Sequence, residues 1–169
     1  YPVAVKAFNA YKQEANKNGY EAAPEQMGWA IPTYVAETDE IAMRELRPHV
    51  ETFFNKFLRF PSIEMRLPPG YSSISSTKTL MEMKFKNRTS STLDTLIANG
   101  MILVGSPKTV REKIIACQKE MGFGHFMAML QVASLPADLT EKNIRLFATE
   151  VMPYLQQPGL QAPEMRATA

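Results

Sequence analysis

Residues 101–122 read MILVGSPKTVREKIIACQKEMG, and this pattern predicts a buried strand followed by an amphipathic helix. The opening apolar run suits a strand that is covered on both faces, as in a parallel sheet. Gly105 allows a sharp turn, Ser106 is a favourable N-cap, and Pro107 fits the first position of a helix. Gly122 is then the expected end of that helix. The segment is therefore one β/α unit that needs neighbours.

Two other apolar segments, 27–36 and 125–133, predict further strands. Strands that alternate with helices are typical of a parallel sheet with right-handed crossovers. We expect the 101–104 strand to lie between the other two. Helical patterns lie at 1–18, 38–57, 93–98 and 138–155.

One long stretch, 59–98, interrupts this alternation with several prolines and a Ser/Thr cluster. Connections of this length in a compact domain are usually lids or binding loops. Residues 158–169 show no periodicity and predict a loose C-terminal tail. The predicted organisation is one unit over residues 1–157, with a lid-like insertion at 59–98 and a tail at 158–169.

Composition argues against several classes of protein. The chain has 169 residues and a net charge of +2, and it has no long Lys/Arg run, so nucleic acid is not an expected partner. No apolar segment approaches the roughly 20 residues that cross a bilayer, so no membrane association is expected. Cys117 is the single cysteine, which fits a reducing cytoplasm. The chain opens at Tyr1 inside a helical pattern, and we expect it to be a piece of a longer protein.

Five strings carry a family resemblance: YVAETDEIA, LPPGYSS, VGSPKTVREKI, KEMGFGHFMAMLQ and NIRLFATEVMPYL. In this order they resemble the C-terminal part of the bacterial-luciferase-like family of flavin monooxygenases, over residues 1–155. The resemblance implies a (β/α)8 TIM barrel with a long excursion before strand seven. The predicted fold class is therefore α/β, with about three β/α units that correspond to strands six to eight of such a barrel.

The resemblance also implies a chemistry. Family members use reduced FMN and O2 to oxygenate a small organic substrate, and some relatives use a deazaflavin for hydride transfer instead. Ala30 and Pro32 stand where sulfonate-type relatives carry Arg and His, which favours an apolar substrate. A flavin reductase and a homo-oligomer are further implied partners. The remaining alternative is a non-catalytic barrel fragment that acts as a structural or interaction unit.

Four residues are candidate flavin contacts. Gly105 and Ser106 open a helix, whose N-terminus attracts anions, although plain helix capping explains the same residues. Gln131 ends an apolar run at the expected barrel mouth, where it could bond flavin or the backbone of a neighbouring strand. Tyr71 lies on the predicted lid. The resemblance places the catalytic groups in the N-terminal half of the barrel, so no catalytic residue is assigned, and no metal site is expected.

Overall fold

A computed structural model describes residues 1–58, 70, 73–78 and 91–156. Tyr71, the tail at 158–169 and most of the predicted insertion at 59–98 lie outside these residues. The described strands are β1 (Gly28–Val35), β2 (Leu103–Gly105) and β3 (His125–Met129). The helices are α1 (Pro2–Lys17), α2 (Asp39–Thr52), α3 (Leu93–Ala98), α4 (Pro107–Met121), α5 (Ala137–Leu146) and α6 (Met152–Leu155). Short helical segments lie at Pro24–Gln26, Phe53–Phe57 and Phe147–Val151 and at 74–78.

The β2–α4 unit has the predicted strand followed by a helix, but β2 begins at Leu103, two residues later than predicted, and Met101 is 47% exposed. Ser106 caps α4, since its Oγ accepts a hydrogen bond from the Thr109 N–H at 3.3 Å, and Pro107 is the first helical residue. The helix stops at Gly122, whose φ of 73° is in the left-handed region that glycine adopts without strain. The predicted apolar stripe is buried and consists of Val110, Ile114, Cys117 and Met121.

The three strands form one parallel sheet in the order β2-β1-β3. The prediction that the 101–104 strand lies in the middle is therefore wrong, because β1 holds that place and β2 is an edge strand. The N-terminal half of β1 pairs with β3, where Trp29 lies opposite Phe126. The two rings are 5.8 Å apart and belong to an aromatic cluster with Phe123 and Phe147. Burial of this cluster favours the observed pairing.

Helices cover both faces of the sheet. On one face, Trp29, Ile31 and Val35 pack with α1, α4 and the Phe147–Val151 segment. On the other face, Tyr34 and Ala36 pack with α2 and α3. The C-terminal half of the central strand is therefore covered on both faces. β2 is also covered on both faces, as the unbroken apolar sequence of β2 predicts.

A buried asparagine joins the ends of β1 and β3. Asn143, on α5, is fully buried; its Oδ1 accepts the Val35 N–H at 2.8 Å. Its Nδ2 donates to the carbonyl oxygens of Thr33 and Leu130 at 2.9 and 2.8 Å. These bonds replace the ladder bonds that β1 and β3 no longer exchange beyond Met129. Asn143 thus fixes the edge of the sheet at which all three strands end.

Among the described residues, no helix combines the length and the apolar character that a membrane span requires.

Candidate functional site

The carboxyl ends of the three strands meet at one edge of the sheet, which we call the carboxyl edge. It is formed by Ala36 and Glu37 after β1, Ser106 after β2, and Gln131 beyond β3. Ligands of parallel α/β sheets bind at this edge, because the loops and helix N-termini that follow the strands converge there. It is therefore the first place to look for a functional site.

At the start of α4 the carboxyl edge holds a carboxylate. Asp39, the first residue of α2, accepts the Ser106 N–H on Oδ1 at 2.6 Å and the Thr109 hydroxyl on Oδ2 at 2.9 Å. Gly105 leaves room for this carboxylate, since a Cβ at that position would lie 2.7 Å from Asp39 Oδ1. The space beside Gly105 and Ser106, where a flavin contact was predicted, is thus filled by the Asp39 side chain of the same chain.

The surroundings of Asp39 stabilise its ionised form. The hydrogen bond from the Ser106 N–H is the main reason why the pKa of Asp39 lies below its usual value. Desolvation opposes this shift, while the hydroxyls of Thr109 and Ser106 and the charge of Lys113 add to it. The first turn of a helix also favours a negative charge. Asp39 is therefore a charged tie between the starts of α2 and α4.

An Asp39→Asn variant tests this tie by its pH dependence. A folded-state pKa below the unfolded value means that the carboxylate stabilises the fold above the unfolded pKa of about 3.9, and that this stabilisation is lost as pH falls through the folded value. We expect the wild-type chain to be more stable than Asp39→Asn at neutral pH, and the difference to shrink in acid. Urea unfolding at several pH values measures it.

Asp138→Asn is the matched control for this experiment, because Asp138 is an exposed residue in the first turn of α5. If the difference between wild type and Asp39→Asn stayed the same from neutral to acid pH, Asp39 would not be an ionised tie.

A second polar group at the carboxyl edge links β1, α2 and α5. The hydroxyl of the fully buried Tyr34 donates to Glu45 Oε2 at 2.8 Å. Lys142 donates to both carboxylate oxygens of Glu45 at 2.7 Å and to Glu37 at 3.3 Å. This network binds the end of the central strand to α2 and α5.

The network also holds its groups in fixed protonation states. Burial, followed by the hydrogen bond to Glu45, raises the pKa of Tyr34 far above its usual value, so the phenol stays neutral. Burial disfavours the charged form of Lys142, but its bonds to Glu45 and Glu37 outweigh this effect and raise its pKa. Both groups already bind carboxylates of this chain, and neither is poised to exchange a proton near pH 7.

Gln131 lies beyond the end of β3, at the carboxyl edge, and is exposed. Its Oε1 accepts the Thr140 hydroxyl at 2.6 Å, and its Nε2 donates to the Leu135 carbonyl oxygen at 3.3 Å. The oxygen of the amide therefore binds α5, and its nitrogen binds the β3–α5 connection. Gly105, Ser106 and Gln131 share the carboxyl edge, Tyr71 lies outside the described residues, and the role of all four toward a flavin stays a prediction.

Sequence reasoning missed Asp39, Tyr34, Glu45 and Lys142 as site residues. In the sequence, Asp39 is typical of an acidic residue in the first turn of a helix, and it has that position in α2. Its second role, the bond to Ser106, depends on a partner 67 residues away. Tyr34 reads as one more apolar strand residue. The sequence signal that could have found Tyr34 is the alternation of side chains along β1, which places Tyr34 on the face of the sheet that α2 covers.

An uncovered apolar strip runs along β1 and β3, which we call the methionine strip. Ala30 pairs with Met127, and Pro32 pairs with Met129, on the face opposite α1 and α4. Both methionines are 51% exposed, which is high for apolar residues on a sheet. The strip is a flexible apolar surface that fits a ring or a hydrocarbon better than a charged group.

Metal chemistry has no support in the described part of the chain, because it contains no group of three or more His, Cys, Asp or Glu side chains that could hold a metal ion.

Comparison with solved structures gives two informative matches. The first is the oxygenating constituent of 3,6-diketocamphane monooxygenase from Pseudomonas putida, a type II Baeyer-Villiger monooxygenase in complex with FMN; its TM-score is 0.60, at 20% identity over 92% of this chain. The second is the monooxygenase RslO1 from Streptomyces bottropensis, with a TM-score of 0.53 at 18% identity over 89% of this chain. The chain shares a fold with part of these enzymes.

The shared fold is partial. The chain spans 41% and 37% of the two solved structures, or about two fifths of their length. No family model matches the sequence, and no curated protein matches it either. The likeness therefore establishes an α/β fold with a parallel sheet, and it does not by itself establish the activity of this chain.

An FMN molecule would need a place for an anionic phosphate and a place for a flat, largely apolar ring. Among the described residues, the methionine strip fits the ring. The start of α4 does not fit the phosphate, because Asp39 already holds the Ser106 N–H and puts a negative charge where the phosphate would lie. The described residues thus match one half of the cofactor.

Proposed function

We propose that this chain is part of a flavin-dependent monooxygenase, which uses reduced FMN and O2 to oxygenate a small apolar organic substrate. The observation that carries the proposal is the likeness, over 92% of the chain, to an oxygenating enzyme subunit in complex with FMN. In this proposal the chain supplies three β/α units from the C-terminal portion of a TIM barrel. A flavin reductase, a homo-oligomer and a cytoplasmic location belong to the same proposal.

The methionine strip supports the apolar character of the substrate. Ala30 and Pro32 offer no charge or hydrogen-bonding side chain, and the exposed Met127 and Met129 adapt their shape to an irregular apolar group. In the proposed enzyme this strip lines the substrate region and excludes water from it. Groups that hold the phosphate and catalyse the reaction then come from outside the described residues.

Labelled oxygen tests the proposed reaction. The longer protein that contains this chain is supplied with reduced FMN and a panel of small apolar ketones and aldehydes under 18O2, and the products are analysed by mass spectrometry. We expect one 18O atom in the product of at least one substrate. Reduction of a substrate without incorporation of 18O, with a reduced deazaflavin as the donor, would favour the deazaflavin-dependent alternative.

The second candidate is a non-catalytic structural or interaction unit. The occupied start of α4 favours it, because the helix N-terminus that the sequence offered for a cofactor phosphate already binds Asp39. Absence of both 18O incorporation and deazaflavin-dependent reduction in the longer protein would support this candidate.

The 169-residue chain by itself is expected not to bind FMN tightly, because its described residues match the ring but not the phosphate of the cofactor. Titration of FMN with the chain, followed by flavin fluorescence, should show no saturation in the micromolar range. Saturation with a dissociation constant of about 1 μM or below would contradict this expectation.

A further inference from the structure

The N-termini of α2 and α4 meet at the carboxyl edge although the two helices pack on opposite faces of the sheet. Asp39 joins them, because it belongs to α2 and accepts the Ser106 N–H and the Thr109 hydroxyl of the β2–α4 turn at 2.6 and 2.9 Å. An N–H group and a hydroxyl at a helix start are the groups that bind a phosphate in nucleotide and flavin sites. Asp39 uses the same two groups.

Other groups of the turn are also engaged, and the Ser106 hydroxyl donates to Thr109 Oγ1 at 3.1 Å. The Thr109 N–H bonds the Ser106 hydroxyl oxygen at 3.3 Å, and Pro107 has no N–H to offer. Space is equally limited, since Asp39 Oδ1 lies 2.7 Å from where a Cβ on Gly105 would be. A phosphate entering this turn would have to displace a carboxylate that is already ionised and hydrogen-bonded.

We infer that Asp39 is a built-in anion that closes the β2–α4 turn to phosphate, so that the phosphate of FMN is held at another position of the longer protein. The choice of FMN as the ligand rests on the proposed function. The closure of the turn rests on Asp39, Ser106 and Thr109 alone. In this interpretation, the predicted flavin contact at Gly105 and Ser106 is instead a tie between α2 and α4.

The test uses inorganic phosphate as the probe and the backbone amides of Ser106 and Thr109 as the readout, in 1H–15N spectra of the whole chain at neutral pH. In the wild-type chain these amides should not shift with millimolar phosphate. In Asp39→Ala the same amides should shift saturably with phosphate, because the competing carboxylate is gone. Asp138→Asn, with the same spectral readout, is the control and should behave as wild type.

Two results would overturn the inference. A saturable shift of Ser106 and Thr109 in the wild-type chain would mean that the turn is open to phosphate. The absence of any shift in Asp39→Ala would mean that something other than Asp39 closes it. If Asp39→Ala does not fold, Asp39→Asn, which keeps the side-chain volume, takes its place. Because the probe is phosphate alone, these results do not depend on whether the longer protein is a monooxygenase.

Discussion

Replacing Asn143 by alanine is expected to lower the free energy of unfolding by about 3–4 kcal/mol, because two buried backbone groups and one partly buried group lose their partners, and each unsatisfied group costs about 1–3 kcal/mol. These groups are the Val35 N–H and the carbonyl oxygens of Thr33 and Leu130. Water can relieve part of the loss, which keeps the total below the sum of three full penalties. Urea unfolding followed by far-UV circular dichroism measures the change.

Asn9→Ala is the matched control for Asn143→Ala, because Asn9 is exposed on α1 and alanine is a better helix former, so no loss of stability is expected there. Asn143→Asp is a sharper companion variant. At neutral pH its carboxylate would face two carbonyl oxygens, so it should be less stable than Asn143→Ala and recover as the pH is lowered and the acid is protonated. A loss below about 1 kcal/mol for Asn143→Ala would contradict the role assigned to its three bonds.

Replacing Trp29 by alanine is expected to cost about 3–5 kcal/mol, as is typical of the truncation of large buried aromatic residues. Trp29 is 6% exposed and lies in the central strand. Its ring contacts Phe123 at 5.6 Å and Phe126 at 5.8 Å, so its removal leaves a cavity where β1, β3 and α4 meet. Far-UV circular dichroism during urea unfolding is again the measurement, since the variant lacks the single tryptophan.

Phe57→Ala is the control for Trp29→Ala, because Phe57 is 72% exposed. Its free energy of unfolding should change by no more than about 0.5 kcal/mol. Equal losses in the two variants would mean that the aromatic cluster around Trp29 contributes no more to stability than a surface ring.

Local chemistry made the β2–α4 unit predictable. Ser106, Pro107 and Gly122 set the two ends of α4 through interactions within one or two turns of the helix. Helix-capping interactions of this kind involve residues that are close in the sequence, and they do not depend on where the rest of the chain packs. The parallel character of the sheet followed from the alternation of strands and helices in the same way.

Long-range partners were not predictable. The order of the strands depends on which edges meet in space, and β3 pairs with β1, where Trp29 lies opposite Phe126, instead of with β2 as the sequential order predicts. Asn143 reads as an ordinary polar residue near the middle of a helix, yet its three bonds reach two strands. A pattern within one segment carries no information on such partners.

The candidate site divides in the same way. The sequence located Gly105, Ser106 and Gln131 at the carboxyl ends of strands, and the structure brings them to one edge of the sheet. The sequence could not show that Asp39 fills the space beside Gly105, or that Thr140 takes the amide oxygen of Gln131. The first contact depends on the packing of α2, which follows another strand, and the second depends on how α5 returns to the end of β3.

The central place of β1 governs the order in which the chain can fold during synthesis. Gly28 pairs with His125, which follows it by 125 − 28 = 97 residues, and Thr33 pairs with Leu103, which follows it by 103 − 33 = 70 residues. The ribosome therefore releases β1 long before it makes either neighbour, and closing such distant pairs slows folding. Trp29 remains without Phe123 and Phe126 until the chain has grown past them, so its fluorescence should report a late stage of folding.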